Sequence, residues 1–138
     1  TISIHKEIEL LQGFIDLESL RYGDKLDLVF EHNIDNANTQ IAPLVLLPII
    51  ENAFKHGSSG NPDHARIHIT LTVVNLELHF EVHNTKPKIH LLEVDPNKTG
   101  IGTINLKRQL ELNYPNKNRL KVEDSLDSYS VKLYLDLK

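Results

Sequence analysis

Apolar residues recur at three- and four-residue steps in the first part of the chain. Ile4, Ile8, Leu11 and Ile15 form one stripe, and Leu10, Phe14 and Leu17 widen it. This is the period of an amphipathic helix. Ser3 stands where an N-cap accepts backbone N–H groups, and Glu7 brings a negative charge to the first turns. Gly23 follows Tyr22 in the place of a C′ glycine, so the pattern predicts a helix from Ser3 to about Tyr22. The period then changes to two. Leu26, Leu28 and Phe30 alternate with Asp27, Val29 and Glu31, which predicts a strand. Asp35 to Thr39 is polar and turn-like.

From Pro43 to Gly57 the helical period returns, with Leu46, Ile49, Ile50, Ala53 and Phe54 as the buried face. Pro48 inside this run should kink the helix or reset its start. Ser58 to Asp63 is a loop. Two alternating runs follow. Ile67, Ile69, Leu71 and Val73 face one way, and Leu76, Leu78, Phe80 and Val82 do so in the next run. Asn75 lies between them and predicts a hairpin. Thr85 to Lys98 has two prolines and little periodicity, and reads as a long loop. Gly100-Ile101-Gly102 then leads into a helix of about a dozen residues, with Ile104, Leu106, Leu110 and Leu112 apolar, ending near Asn113–Pro115. Arg119–Glu123 and Val131–Leu137 read as two last strands.

Helix, strand, helix, two strands, loop, helix, two strands: this order predicts an α/β (α+β) two-layer sandwich. Its sheet is mixed but mostly antiparallel, with helices on one face. A loop of more than about 12 residues in a compact domain is usually functional or disordered. Here it directly precedes Gly-x-Gly.

Composition narrows the class. A chain of 138 residues is long enough for one domain with a core. A formal net charge of −4 and a pI near 6.0 argue against a nucleic-acid partner, which usually asks for a basic stripe. Without cysteine there is neither a disulfide framework nor thiolate chemistry. No apolar run approaches the roughly 20 residues of a membrane helix, and there is no signal peptide. The chain begins at Thr1 and enters a helix at once, which reads as a piece of a longer protein.

The chemistry gathers on the Pro43–Gly57 helix. Asn52, Lys55 and His56 share one face, because residues three and four apart are neighbours. An amide able to bind a metal ion through oxygen stands beside a cation able to meet phosphate, which points to a nucleotide site. Each signal has a plainer alternative when taken alone. Asn52 and Lys55 can be a solvated polar face, Gly100 and Gly102 can be turn glycines, and Asn84 can simply end a strand. Eight histidines invite a metal reading. His64 and His68, or His79 and His83, would share a strand face, but they alternate with Thr and Glu on the solvent side and match no known zinc motif.

Two long motifs stand together in the right order. Glu51–Gly57, ENAFKHG, resembles the N box of the histidine-kinase ATP-binding domain, the GHKL or Bergerat fold. Thr99–Pro115, TGIGTINLKRQLELNYP, resembles that family's glycine box and following helix. Both are similar to LytS-like sensor histidine kinases, in which comparable stretches close with Leu-Glu-Leu-x-Tyr-Pro. His5–His32 resembles the linker helix and first strand of the same group, so the resemblance covers nearly the whole chain.

The resemblance implies ATP and Mg2+ as cofactors. It implies that Asn52 offers its amide oxygen to the ion and that Lys55 and His56 stand near phosphate. Thr99, Gly100, Ile101 and Gly102 would bring backbone close to the phosphates, and Asn84 would read adenine. Residues 85–99 match the ATP lid. Residues 1–23 would be the linker helix from the phosphoacceptor region, and residues 24–138 the catalytic domain. Glu51 is the nearest candidate for a base that polarises the acceptor. The receiving histidine is expected on an upstream domain, within a homodimer. His5 lacks the sequence context of a phosphoacceptor, so the chain is expected to bind ATP without completing its own autophosphorylation. A response regulator would take the phosphoryl group next. The domain is expected in the cytoplasm, without direct membrane contact, under an inner-membrane sensor.

The chain departs from the family's pattern in places. In Val82-His83-Asn84-Thr85-Lys86 the family's adenine-reading Asp is replaced by Asn84, and the following glycine is missing. Pro48 lies where many members have a polar residue, and Thr103 where an apolar one is expected. Tyr129 or Ser130 replaces a threonine of the adenine pocket. These changes leave open a degenerate GHKL domain that works as a nucleotide-sensing or protein-interaction module without kinase activity.

Overall fold

Strands that alternate apolar and polar residues need a second layer on their apolar face, and helices supply it here. The computed structural model describes residues 1–58, 65–85 and 96–138, and within them the side chains of 1–55, 66–85 and 105–138. The order is β1 (Ile2–Ser3), α1 (Ile4–Tyr22), a short 3-10 turn (Gly23–Lys25), β2 (Leu26–Ile34), β3 (Gln40–Ile41), α2 (Leu47–Ser58), β4 (Ala65–Val74), β5 (Glu77–Thr85), α3 (Pro96–Asn113), β6 (Asn118–Asp124) and β7 (Ser128–Asp136). The main sheet runs β2-β4-β5-β7-β6, and β1 pairs with β3 in a small second sheet. Among the described residues only β2 and β4 pair in parallel, and the crossover that such a pair requires carries α2. The other neighbours are antiparallel. The architecture is the expected mixed α+β sheet with helices.

One row system builds the core face of the sheet. Ile69, Leu71 and Val73 stand opposite Val82, Phe80 and Leu78, which in turn meet Val131, Leu133 and Leu135. All are buried. The residues between them on β5, from Glu77 to His83, face solvent. α2 lies against β4, β5 and β7, with Leu46, Ile49, Ile50, Ala53 and Phe54 buried. α3 packs beside α2 and β6 through Leu106 and Leu110. α1 meets α2 through aromatic rings: Phe14 stands edge-on to Phe54 at 5.8 Å, and Tyr22 stacks on it at 6.1 Å.

The ends of α1 follow local chemistry. Ser3 Oγ accepts the Lys6 N–H at 3.2 Å, and Gly23, with φ of 55°, donates its N–H to Ser19. The α1 stripe divides: Ile4, Leu11 and Ile15 are buried, whereas Leu10 and Leu17 are exposed.

Several boundaries differ from the sequence expectation. α2 starts at Leu47 rather than Pro43. Pro48 therefore sits in the first turn, where its missing N–H costs no helical hydrogen bond. Leu76 lies in the hairpin turn, not on the strand face. The register pairs Val74 with Glu77, and Asn75 and Leu76 between them take φ of 53° and 64°, as a two-residue I′ turn requires. Leu112 is exposed, because two residues beyond Leu110 a helix has turned to its far side. α3 starts at Pro96, so Gly100-Ile101-Gly102 lies within helical backbone rather than before it. Proline is well suited to a first helical turn. Of the expected lid, residues 86–95 lie outside the described residues.

Candidate functional site

The site is built from the apolar face of α2 outward. Because Ile49, Ile50, Ala53 and Phe54 are pressed into the core, the rotation of the helix is fixed. Asn52 falls at the border of that face and is half-buried, while Glu51 and Lys55 are exposed. His56 continues the helix, and its side chain lies outside the described residues. Thr99, Gly100, Ile101 and Gly102 lie near the start of α3, which packs on α2; their side-chain surroundings also lie outside the described residues. Asn52 and Lys55, three residues apart on α2, are neighbours on the helix surface.

Asn84 belongs to the sheet. It is the last inward residue of β5, in a row with Ile67 and Tyr129. Its side chain is 0% exposed on a face that is otherwise apolar. Nδ2 donates to the Thr85 carbonyl at 3.2 Å, and Oδ1 is buried with no partner among the described residues. An acceptor left in this way costs about 1–3 kcal/mol. The last strand offers two neighbours. Tyr129 shares the inner face with Asn84, whereas Ser130 belongs to the outer face, where its Oγ lies 2.6 Å from His83 Nδ1.

Two further polar groups converge on the residues leading into α2. Glu7 of α1 is fully buried, and its Oε2 accepts the Leu44 N–H at 2.9 Å. Burial raises its carboxyl above the ordinary value, against the lowering effect of the Leu44 and Leu46 amides. Tyr114, at the end of α3, accepts the Ala42 N–H at 2.9 Å through its hydroxyl oxygen. Burial raises the Tyr114 phenol, opposed by the Ala42 hydrogen bond and supported by the nearby Glu7 charge. Neither residue is a site candidate by sequence, where Glu7 counts only as a charge in the first turns of the helix. The signal for Glu7 was present: it lies three residues after Ile4 and four before Leu11, on the apolar stripe itself.

The outer face of the sheet carries the histidines. His68 stands directly across from His83, and its Nε2 lies 3.7 Å from Glu31 in an exposed position. Among the described residues no group of three His, Asp or Glu side chains is placed to hold a metal.

No protein-family model matches the sequence. An uncharacterized sensor-like histidine kinase of Staphylococcus epidermidis is 27% identical over 84 residues, which cover 61% of this chain and 16% of that protein. The sensor protein kinase HptS of Staphylococcus aureus is 27% identical over 78 residues, covering 56% and 15%. The chain therefore spans under a fifth of the length of these relatives. The nucleotide-free catalytic domain of histidine kinase ThkA superposes with a TM-score of 0.64 at 14% identity, over 97% of this chain and 92% of that one. ThkA is also solved in complex with the response regulator protein TrrA. The chain thus has the fold of a histidine-kinase catalytic domain, and over about three fifths of its length its sequence is similar to sensor histidine kinases.

Proposed function

We propose that this chain binds ATP with magnesium and donates the γ-phosphoryl group within a LytS-like sensor histidine kinase. The observation that carries the reading is Asn84: a fully buried amide on an apolar sheet face, with an acceptor oxygen that none of the described residues satisfies. An adenine amino group is a donor of the right kind for it. Asn52, on the border of α2, supplies a hard oxygen of the kind magnesium prefers, and the remaining ligands fit phosphate and water. By the family resemblance Thr99–Gly102 stands near the phosphates; as α3 runs from Pro96, free N–H donors are confined to its first turn, of which Thr99 is the last residue. Lys55 and His56 add positive charge or donors beside them. Glu51 is exposed on the next position of α2 and is the candidate to polarise the accepting nitrogen.

Phosphoryl transfer rests on positioning and charge neutralisation more than on covalent chemistry, so this set of groups suffices in kind. The accepting histidine belongs to an upstream domain of the parent protein, which acts as a homodimer. A response regulator receives the phosphoryl group, and the ThkA–TrrA complex supports that order of partners. The parent is a membrane sensor with this domain on the cytoplasmic side.

Thermal or urea unfolding with Mg-ATP tests the reading. At a hundred times the dissociation constant the nucleotide adds about 2.7 kcal/mol of stability. Asn52→Ala loses the magnesium-dependent part, and Asn84→Ala weakens binding with or without the metal. Wild-type chain that shows no shift at millimolar Mg-ATP would overturn the proposal in favour of a protein-interaction module.

A further inference from the structure

The residues leading into α2 are held from two sides by groups that nucleotide binding does not itself use. Glu7 reaches them from α1, and Tyr114 from the end of α3. Glu7 Oε2 takes the Leu44 N–H and the Tyr114 hydroxyl takes the Ala42 N–H, both at 2.9 Å. Between these anchors Leu44 adopts φ of 58°, a left-handed backbone that costs a non-glycine residue about 1–2 kcal/mol. Strain of this kind persists only where the surroundings enforce it.

The start of α1 is tied to the same stretch of chain. The Ile4 N–H donates to Thr39 at 2.7 Å and the His5 N–H to Ala37 at 3.2 Å. Ile2 and Ser3 pair with Ile41 and Gln40. α1 therefore cannot turn or slide without pulling residues 37–46, and α2 begins at Leu47. Packing alone does not explain Glu7, since an apolar side chain would fill this stripe position without the cost of burying a carboxylate. The amides that it holds do explain it.

We infer that Glu7 is a positioning residue: it fixes the residues leading into α2 and so makes the placement of Asn52 depend on the placement of α1. The inference rests on the nucleotide reading of α2. In that reading Asn52 serves the metal and phosphate end, and Asn84 the base end. Loss of Glu7 then acts unequally on the two ends of ATP.

The test is titration of the full chain with ATP in the presence of magnesium and, separately, of EDTA. Glu7→Ala is expected to weaken Mg-ATP binding about tenfold while metal-free ATP stays within about twofold. Glu7→Gln keeps an oxygen for the Leu44 N–H and is expected to retain the gain from magnesium. Tyr114→Phe frees only Ala42, loses part of that gain, and supplies the answer if Glu7→Ala does not fold. Folded variants that keep the full gain from magnesium overturn the inference, and so does an equal loss with and without the metal. A wild-type chain that binds neither form of ATP instead removes the nucleotide reading, and the inference falls with it.

Discussion

At the scale of single residues, this protein is shaped by polar groups in apolar places and by side chains in backbone conformations that they disfavour. Asn84 is the first kind. Its β-strand register, not its own chemistry, carries it into the core face beside Tyr129. Leu76 is the second kind: it holds φ of 64° at a turn position that suits glycine. Leu76→Gly is expected to raise stability by about 1 kcal/mol, because it removes the left-handed strain while leaving the carbonyl that accepts the Leu137 N–H at 2.8 Å. Urea midpoints give the measurement, and an unchanged or lower midpoint would mean that glycine's added unfolded-state freedom outweighs the strain. The sequence showed a hairpin around Asn75 but not its register. The alternation of Leu76 with Leu78 extends the strand pattern by one position, and only the pairing of Val74 with Glu77 puts Leu76 in the turn.

At the scale of elements, the decisive contacts join α1 to α2. Phe54 lies between Phe14 and Tyr22, so its ring links the two helices as well as the core. Phe54→Ala is expected to cost about 3–5 kcal/mol, as loss of a buried aromatic does. Thermal melts check this, and a loss under 1 kcal/mol would show that the helices hold together without it. Glu7 gives the same contact a pH dependence. Its carboxyl titrates higher in the folded chain than its ordinary value of 4.5, so the folded chain holds the proton more tightly. The stability this lends is complete below 4.5 and is lost as pH rises through the raised value. Glu7→Gln cannot ionise and lacks that slope. Wild type should therefore lose stability relative to the variant as pH rises from 4.5 toward neutrality. Urea unfolding at a series of pH values reads the difference, and a constant difference would contradict it. The periodicity of α1 and its caps were legible in advance because they depend on neighbours three or four residues away. The meaning of Glu7 was not, because Leu44 lies 37 residues further along the chain.

At the scale of the whole molecule, α1 and the sheet share one core. Ile4, Leu11 and Ile15 are buried in the same cluster as Phe54, Phe80 and Leu133. Removal of residues 1–23 would uncover that cluster and leave the amides of Leu44 and Leu46 without Glu7. The shortened chain is expected to lose its cooperative thermal transition, observable by circular dichroism. A sharp transition near that of the full chain would show that the sheet and α2 stand alone.

The chain's local pattern alone determined the helices, the hairpin and the last two strands, because each depends on residues a few places apart. Its two motifs were enough to suggest the family before any fold was seen. Register and distant contacts decided the rest. They buried the amide of Asn84, separated Tyr129 from Ser130, turned Leu76 out of its strand and brought Glu7 and Tyr114 to the start of α2. Such pairings form only when the chain closes on itself, so no local period can encode them.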